Sequence, residues 1–139
     1  MKKIVLISCV SQKLHNKAKA KDLYISTLFK LNLQFAKKMK PDEIFILSAK
    51  YGLLGLDDEI EPYNLTLNNM SAKNRKSWAD GIIKQLRSET DLKNDHFVIL
   101  AGDRYRKYLI SELVSYEIPL KGLPIGKQLQ YLKRHLNDD

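Results

Sequence analysis

Three short apolar runs decide the fold: Lys3–Ser8 (Lys-Ile-Val-Leu-Ile-Ser), Glu43–Ser48 (Glu-Ile-Phe-Ile-Leu-Ser) and His96–Ala101 (His-Phe-Val-Ile-Leu-Ala). Their apolar residues are consecutive, whereas a strand exposed on one face alternates apolar and polar residues. Consecutive apolar residues are typical of strands buried on both faces, as in a parallel sheet covered by helices. We therefore predict three buried parallel strands.

Helical patterns separate these runs. We expect Asp22 to cap the first helix, which Pro41 ends, and Ser71 to cap the second. Gly102 and Asp103 end the third strand and open a third helix, and a last helix follows Pro124. Residues at three- and four-residue steps, nearly all apolar, predict one buried face in each helix: Tyr24, Leu28, Leu31, Phe35 and Met39; Arg75, Trp78, Ile82 and Leu86; Tyr105, Tyr108, Leu109 and Leu113; Ile125, Leu129, Leu132 and Leu136.

A fourth, shorter strand is predicted at Glu117–Leu120. It should lie at or near an edge of the sheet, because Pro119 has no N–H to donate to a neighbouring strand. Strands that alternate with helices indicate a parallel sheet with helices on both faces. The sequence thus predicts a single α/β domain over residues 1–139, a three-layer α/β/α arrangement around a four-stranded, mainly parallel sheet.

Length and composition agree with one soluble core. The chain has 139 residues, of which 44% are hydrophobic, and its apolar runs are far shorter than the roughly 20 residues that a membrane helix needs. We expect a cytoplasmic protein that does not bind membranes. A single cysteine excludes a disulfide within the chain.

The chain is strongly basic, with 24 Lys and Arg against 16 Asp and Glu, and its net charge is +8. The basic residues fall in groups, which are either solvated helix faces or contacts for an anionic partner. We favour the anionic partner, a nucleic acid or a nucleotide. The groups are Lys13, Lys17, Lys19 and Lys21; Lys37, Lys38 and Lys40; Lys73, Arg75 and Lys76; and Arg104, Arg106 and Lys107.

The predicted site lies at the carboxyl ends of the strands, where open parallel sheets bind ligands. Four loops rich in polar residues and glycine meet there; they begin at Cys9, Ala49, Gly102 and Lys121. The irregular stretch Ala49–Met70 is long for so small a domain, which is typical of a functional loop or a lid.

Substrate-binding residues are predicted on these loops and on the Ala49–Met70 stretch. Lysine and arginine side chains there would hold phosphates, tyrosines would stack on a base, and glycines would allow sharp turns or bring backbone N–H groups to an anion. Tyr51 and Tyr63 have a structural alternative, packing over the helix ends and anchoring the loop. The glycine spacing matches neither a P-loop nor a dinucleotide fingerprint, so no cofactor is predicted. The candidates are Lys13, Lys50, Tyr51, Gly52, Tyr63, Gly102, Arg104 and Gly122.

The candidate catalytic residues are Cys9, Asp58 and Asp103. Cys9 follows the first strand, where Lys13 could lower the pKa of its thiol; the alternative is a small residue packed at a strand end. Asp58 could orient water or simply keep a surface loop soluble. Asp103 could likewise orient water, or it could act as a helix N-cap. The three histidines have no metal-ligand spacing, so no metal site is predicted.

Several segments, taken in order, resemble a prokaryotic and phage family known as a domain of unknown function, DUF6884. The resemblance runs over nearly the whole chain, and its most specific part is Ser-Ala-Lys-Tyr-Gly-Leu-Leu at residues 48–54. Members often carry more basic residues just after the first cysteine than this chain does. The matching segments are Ala18–Tyr24, Leu28-Phe29, Leu47–Leu54, Ile60–Tyr63, Trp78, Leu100–Tyr105 and Pro119–Leu123.

That family is distantly similar to the uracil-DNA-glycosylase-like fold, which implies action on a base in a nucleic acid or on a nucleoside. The glycosylase motifs after the first strand and near the last strand do not occur here, so the resemblance assigns no catalytic residue. Three hypotheses stay open: an enzyme that acts on the N-glycosidic bond of a modified base, a nucleic-acid-binding module without catalysis, and a binder of small nucleotides.

Overall fold

A computed structural model describes residues 1–8 and 13–137 of the chain. The central sheet is built from β1 (Lys3–Ser8), β3 (Glu43–Ser48), β4 (Gly52–Gly55), β6 (His96–Leu100) and β7 (Ser115–Glu117), in the spatial order β4-β3-β1-β6-β7. β1 lies between β3 and β6 and is parallel to both, and β7 is parallel to β6. The prediction of an α/β fold with a mainly parallel sheet is confirmed.

Helices cover both faces of this sheet. α2 (Thr27–Lys38) and α5 (Ile125–Asn137) pack together on one face, and α3 (Ala72–Glu89) lies on the other with the single-turn helix α4 (Asp103–Arg106). Alternate residues of a strand point to opposite faces, so the apolar residues of β1 and β6 are buried between the two helical layers, and β3 is buried over its last three residues. Val5 and Ile7 pack with α2 and α5, whereas Ile4 and Leu6 pack with α3.

The sheet has five strands where the sequence predicts four. The additional strand, β4, runs antiparallel to β3 and forms an edge of the sheet. It was missed because four residues with a glycine at each end show no strand pattern. Gly52 lies in the left-handed region at φ +79, and a Cβ there would come 2.6 Å from Gln85 Oε1. Both constraints favour glycine at this turn.

The fourth predicted strand is shifted along the chain. β7 covers Ser115–Glu117, not Glu117–Leu120, although it lies at the edge of the sheet as predicted. The residues after it form a turn, in which the Lys121 N–H donates to the Ile118 carbonyl oxygen at 3.1 Å. Pro119 therefore lies beyond the strand rather than inside it.

Two predicted helices are interrupted. Asp22 does not cap the first long helix; it lies in a separate turn, α1 (Ala20–Leu23), and Ser26 caps α2. Tyr24 has an extended backbone between them and forms a bridge with Lys13. The helix predicted after Gly102 ends at Arg106, and a short 3-10 helix, Ile110–Glu112, follows. Tyr105, Leu109 and Leu113 are nevertheless buried, as their spacing predicts.

A smaller antiparallel pair lies outside the central sheet. It joins β2 (Ala18–Lys19) to β5 (Glu59–Ile60), and further backbone hydrogen bonds tie Ala20 to Asp58 and Lys21 to Leu56. Much of the Ala49–Met70 stretch is thus held by backbone pairing. Its remaining regular element is a 3-10 turn, Leu67–Asn69, over which the Arg75 side chain donates to the Leu67 carbonyl oxygen at 2.7 Å.

The topology opens a crevice between β1 and β6. The chain leaves β1 toward α2 on one face of the sheet and leaves β6 toward α4 on the other face. Where two neighbouring strands send their connections to opposite faces, the connections diverge and leave a space outside the carboxyl ends of the strands. The fold therefore predicts a ligand site next to Ser8 and Leu100.

Candidate functional site

A cavity of about 500 Å³ lies at this crevice, which we call the switch-point cavity. Ser8 from the end of β1 and Leu100–Gly102 from the end of β6 form its base. The amino-terminal half of α2, the start of α5, α4, Asn68 and the segment after β7 form its sides. Its volume falls within the range of roughly 300 to 1,000 Å³ that is typical of small-molecule sites.

Much of the cavity wall is apolar. The side chains come from α2, from β6 and from residues 118–125, which lead into α5, so three parts of the fold contribute to one slot. An apolar slot with a few polar groups suits a planar heterocycle, which needs apolar contact on its faces and hydrogen bonds at its edge. The apolar wall residues are Leu28, Phe29, Ile99, Leu100, Ile118, Leu120 and Ile125.

Asn32 is a buried polar side chain in this wall. It lies on α2, is only 4% exposed, and lines the cavity. No described residue forms a hydrogen bond with its Oδ1 atom. Leaving a buried polar atom without a partner costs about 1–3 kcal/mol, so such atoms call for an explanation.

Arg106 is a largely buried cation in the same cavity. Its side chain is 15% exposed, and its Nη1 atom donates to the Ala101 carbonyl oxygen at 2.7 Å. Its Nη2 atom lies 4.0 Å from Asp103 Oδ1, at the limit of an ion pair. Because this carboxylate is distant, the charge of Arg106 is weakly neutralised. A guanidinium has five N–H donors, so Arg106 retains the capacity to bind an anion.

Three predicted site residues meet at the cavity: Gly102, Asp103 and Arg104. Gly102 is the residue before α4, and its N–H donates to Ser8 Oγ at 3.4 Å, which joins the ends of β6 and β1. Asp103 is the first residue of α4 rather than its cap, and its side chain is 76% exposed. Arg104 donates from Nη1 to the Asn68 carbonyl oxygen at 2.9 Å and so holds the 3-10 turn beside the cavity.

Four other predicted residues form a separate cluster near the end of β3, which we call the aromatic–lysine cluster: Lys13, Lys50, Tyr51 and Tyr63, together with Tyr24. Lys13 Nζ lies 4.5 Å from the centre of the Tyr63 ring, and Lys50 Nζ lies 5.3 Å from that of Tyr51. None of the five is among the described residues that line the cavity.

The tyrosines of this cluster are fixed by hydrogen bonds. The hydroxyl oxygens of Tyr24 and Tyr63 are 2.6 Å apart, and Ser48 Oγ donates to that of Tyr63 at 2.9 Å. The Tyr51 hydroxyl meets the backbone of Glu61, whose N–H donates to it at 3.3 Å. These bonds attach the segment after β5 to the end of β3, so Tyr63 anchors the loop in this structure.

The remaining candidates lie elsewhere. Gly52 forms the β3–β4 turn, and Asp58 accepts a hydrogen bond from the Gly55 N–H at 2.8 Å, where it stabilises the next turn. Gly122 adopts φ +80 in the turn before α5, so its conformation favours glycine. None of the three is among the described residues lining the cavity. Cys9 lies outside the described residues.

Within residues 1–8 and 13–137, no three His, Cys, Asp or Glu side chains are grouped so that they could hold a metal ion. No helix in this part of the chain has both the length and the apolar character to cross a membrane.

Fold and site together define an α/β protein with a cavity at the switch point of a mainly parallel sheet. The chain belongs to a family of unknown function, DUF6884, whose model matches residues 4–134. The resemblance seen in the sequence is therefore confirmed at the level of the family.

A curated relative is a UPF0246 protein from Crocosphaera subtropica. It is 30% identical over 107 residues, which cover 68% of this chain and 42% of the relative. The chain thus spans less than half of the length of the curated relative that it matches.

Sequence reasoning missed the two residues that most distinguish the cavity. Asn32 had a visible signal, because it falls four residues after Leu28 and three before Phe35, on the face predicted to be apolar. Arg106 had only a weak signal, its place in a basic group with Arg104 and Lys107, and nothing in that group distinguishes the arginine that contacts the Ala101 carbonyl oxygen.

Proposed function

We propose that the protein binds a nucleotide unit, extruded from a nucleic-acid strand or free, in the switch-point cavity and acts on its N-glycosidic bond. The observation that carries the proposal is a partly apolar cavity that contains both a weakly neutralised arginine and a buried carboxamide. A nucleotide offers a planar base to the apolar walls and a phosphate to Arg106. The net charge of +8 favours such an anionic partner.

In the proposed reaction, the bond between the sugar C1′ and the base nitrogen breaks, and the base leaves with the electron pair. Water adds to C1′ and releases a proton, which the departing base or a carboxylate accepts. The sugar develops positive charge as the bond breaks, and a nearby carboxylate stabilises that charge. Asp103 is the carboxylate that lines the cavity, and we assign it this role.

The expected similarity to the uracil-DNA-glycosylase-like fold belongs to this proposal. A mainly parallel sheet with helices on both faces and a cavity at its carboxyl edge is compatible with that similarity. In a polymer, the base would first leave the stack, as in enzymes that act on a single base. Lys13 and Lys50 would then contact flanking phosphates from the aromatic–lysine cluster.

Binding without catalysis is the second candidate. The Asp103 side chain is 76% exposed and lies 4.0 Å from Arg106 Nη2. A carboxylate in contact with water is less effective at stabilising charge than one in a water-excluded site. This exposure favours a binding module, unless a bound nucleotide covers Asp103.

The experiment is binding of the protein to short single- and double-stranded DNA at two salt concentrations, followed by mass analysis for released base. The enzyme proposal predicts binding that weakens with salt, together with released base. Asp103→Asn should abolish release and leave binding unchanged, whereas Asp80→Asn, an exposed acid on α3, should change neither. Binding without release supports the module. If the protein binds no DNA at low salt, a strand partner of this kind is excluded and the free-nucleotide form of the proposal is tested by thermal shift.

A further inference from the structure

Asn32 is a buried polar residue whose side-chain oxygen has no hydrogen-bond partner among the described residues. Two buried side-chain oxygens lack a hydrogen-bond partner among the described residues, Asn32 Oδ1 and Glu43 Oε2, and of these residues only Asn32 lines the switch-point cavity. Asparagine is also a weak helix former, because its side chain competes with the backbone for hydrogen bonds. A leucine, which has the same number of side-chain heavy atoms, would suit α2 and its apolar neighbours better.

The surroundings of Asn32 indicate what its carboxamide would bind. Phe29 and Leu28 flank it on α2, and Ile99 and Leu120 contribute to the same apolar wall. A carboxamide carries an acceptor, Oδ1, beside a donor, Nδ2, and so matches an edge that presents an N–H next to an acceptor. Planar heterocycles with such an edge include the nucleobases, which Asn side chains recognise through paired hydrogen bonds.

We propose that Asn32 is a specificity-determining residue of the switch-point cavity, which recognises the N–H and acceptor edge of a nucleobase while Arg106 binds the phosphate of the same nucleotide. This inference rests on the proposed function and adds to it the group that recognises the base. A base bound in the cavity would supply the hydrogen bond that Asn32 Oδ1 lacks among the described residues. A site built to form such a hydrogen bond strongly rejects a ligand that lacks the matching group, because the buried polar group of the protein is then left unpaired.

The test compares Asn32→Leu with Gln34→Leu, which replaces an exposed amide on the same helix. Affinity is measured for the 5′-monophosphates of uridine, cytidine, adenosine and guanosine, and the melting temperature is measured without ligand. We expect Asn32→Leu to raise the melting temperature by about 3 to 6 °C, because it removes an unsatisfied polar atom. We expect it to weaken the tightest nucleotide by about 10- to 100-fold. Gln34→Leu should leave that affinity unchanged.

A ligand-side measurement does not depend on the variant folding. The tightest nucleotide is compared with its analogue methylated on the base edge, for example 3-methyluridine 5′-monophosphate where uridine 5′-monophosphate binds. Methylation should weaken binding to the wild-type protein by at least tenfold and to Asn32→Leu by much less, since the two changes remove the same hydrogen bond.

The outcomes separate this inference from the proposed function. If the wild-type protein binds a nucleotide and Asn32→Leu binds it equally well, Asn32 does not recognise the base, although the cavity still takes a nucleotide. If Asn32→Leu lowers both the melting temperature and the affinity, Asn32 is a structural residue and the inference is overturned. If none of the four nucleotides binds the wild-type protein, the free-nucleotide form of the proposed function fails, and the role given to Asn32 fails with it.

Discussion

Arg106 shows how strongly the environment of a single residue changes its use. The chain has 24 Lys and Arg residues, and an exposed cation among them gains little from any one contact because water screens its charge. The Arg106 side chain is 15% exposed, and Arg104, two residues earlier, reaches the Asn68 carbonyl oxygen instead. Residues two apart on a helix point in different directions, so Arg104 and Arg106 contact different parts of the structure.

At the residue scale, we predict that Arg106→Gln weakens the binding of a nucleoside 5′-monophosphate by about 10- to 100-fold, because a charge-assisted hydrogen bond to the phosphate is removed. The binding of the corresponding nucleoside without phosphate should hardly change. Titration calorimetry of both ligands measures the difference. Arg87→Gln is the matched control, since its side chain is 61% exposed and pairs with Glu112 at 3.9 Å. Equal losses of affinity for nucleoside and nucleotide would contradict a phosphate contact.

At the scale of elements, α2 contributes both to the stability of the fold and to the wall of the cavity. Ser26 caps this helix by accepting from the Phe29 N–H at 3.2 Å, and Ser71 caps α3 by accepting from the Asn74 N–H at 3.2 Å. The two caps have the same geometry. Only the first of them lines the cavity, together with Phe29 and Asn32.

These matched caps allow a prediction about α2. Ser26→Ala and Ser71→Ala should each lower the free energy of unfolding by about 1 kcal/mol, because each leaves a helix N–H without its partner. Only Ser26→Ala should also weaken nucleotide binding, since it loosens the first turn of the helix that carries Asn32. Urea unfolding gives the stabilities, and titration at a temperature where both variants are folded gives the affinities. Equal effects of the two variants on binding would show that the cavity does not depend on the first turn of α2.

At the scale of the whole molecule, the long helices on the two faces of the sheet differ in charge. α2 and α5 carry six basic residues and no acidic ones over Thr27–Lys38 and Ile125–Asn137, whereas α3 carries Asp80 and Glu89 beside its five basic residues. The starts of α2 and α5 both reach the cavity. A strand whose base enters the cavity would therefore meet positive charge along this layer.

This asymmetry predicts where a nucleic-acid strand runs. Changing Lys37 and Lys133 together to Gln should reduce the slope of log affinity against log salt for a single-stranded oligothymidylate, by about 0.7 for each phosphate that the variant no longer neutralises. The same change at Lys73 and Lys76 on α3 should leave the slope nearly unaltered; all four lysines are exposed. Fluorescence anisotropy at several salt concentrations measures both. If the α3 pair has the larger effect, the strand follows the other layer.

The buried faces of two helices were predicted only in part, since Ile125 is 65% exposed and α2 buries Phe29, Asn32 and Ala36 rather than Leu28 and Leu31. The sequence by itself determined the central strands and the α/β class. Each of these depends on local periodicity: β1 and β3 match their predicted bounds, and β6 ends one residue early. Short elements could not be predicted in this way, because the four residues of β4 and the single turn of α4 are too few to show a period. Their place depends on interactions with residues distant in the chain.

Of the candidate site, the sequence placed Gly102, Asp103 and Arg104 at the carboxyl edge, because that edge follows from strand direction alone. Only the tertiary structure decided that these residues meet Asn32 and Arg106 in one cavity, while Tyr51, Tyr63, Lys13 and Lys50 gather near the end of β3. The physical reason is the order of the strands. The cavity lies where the connections after β1 and β6 turn to opposite faces, and strand order depends on long-range pairing that no local pattern specifies.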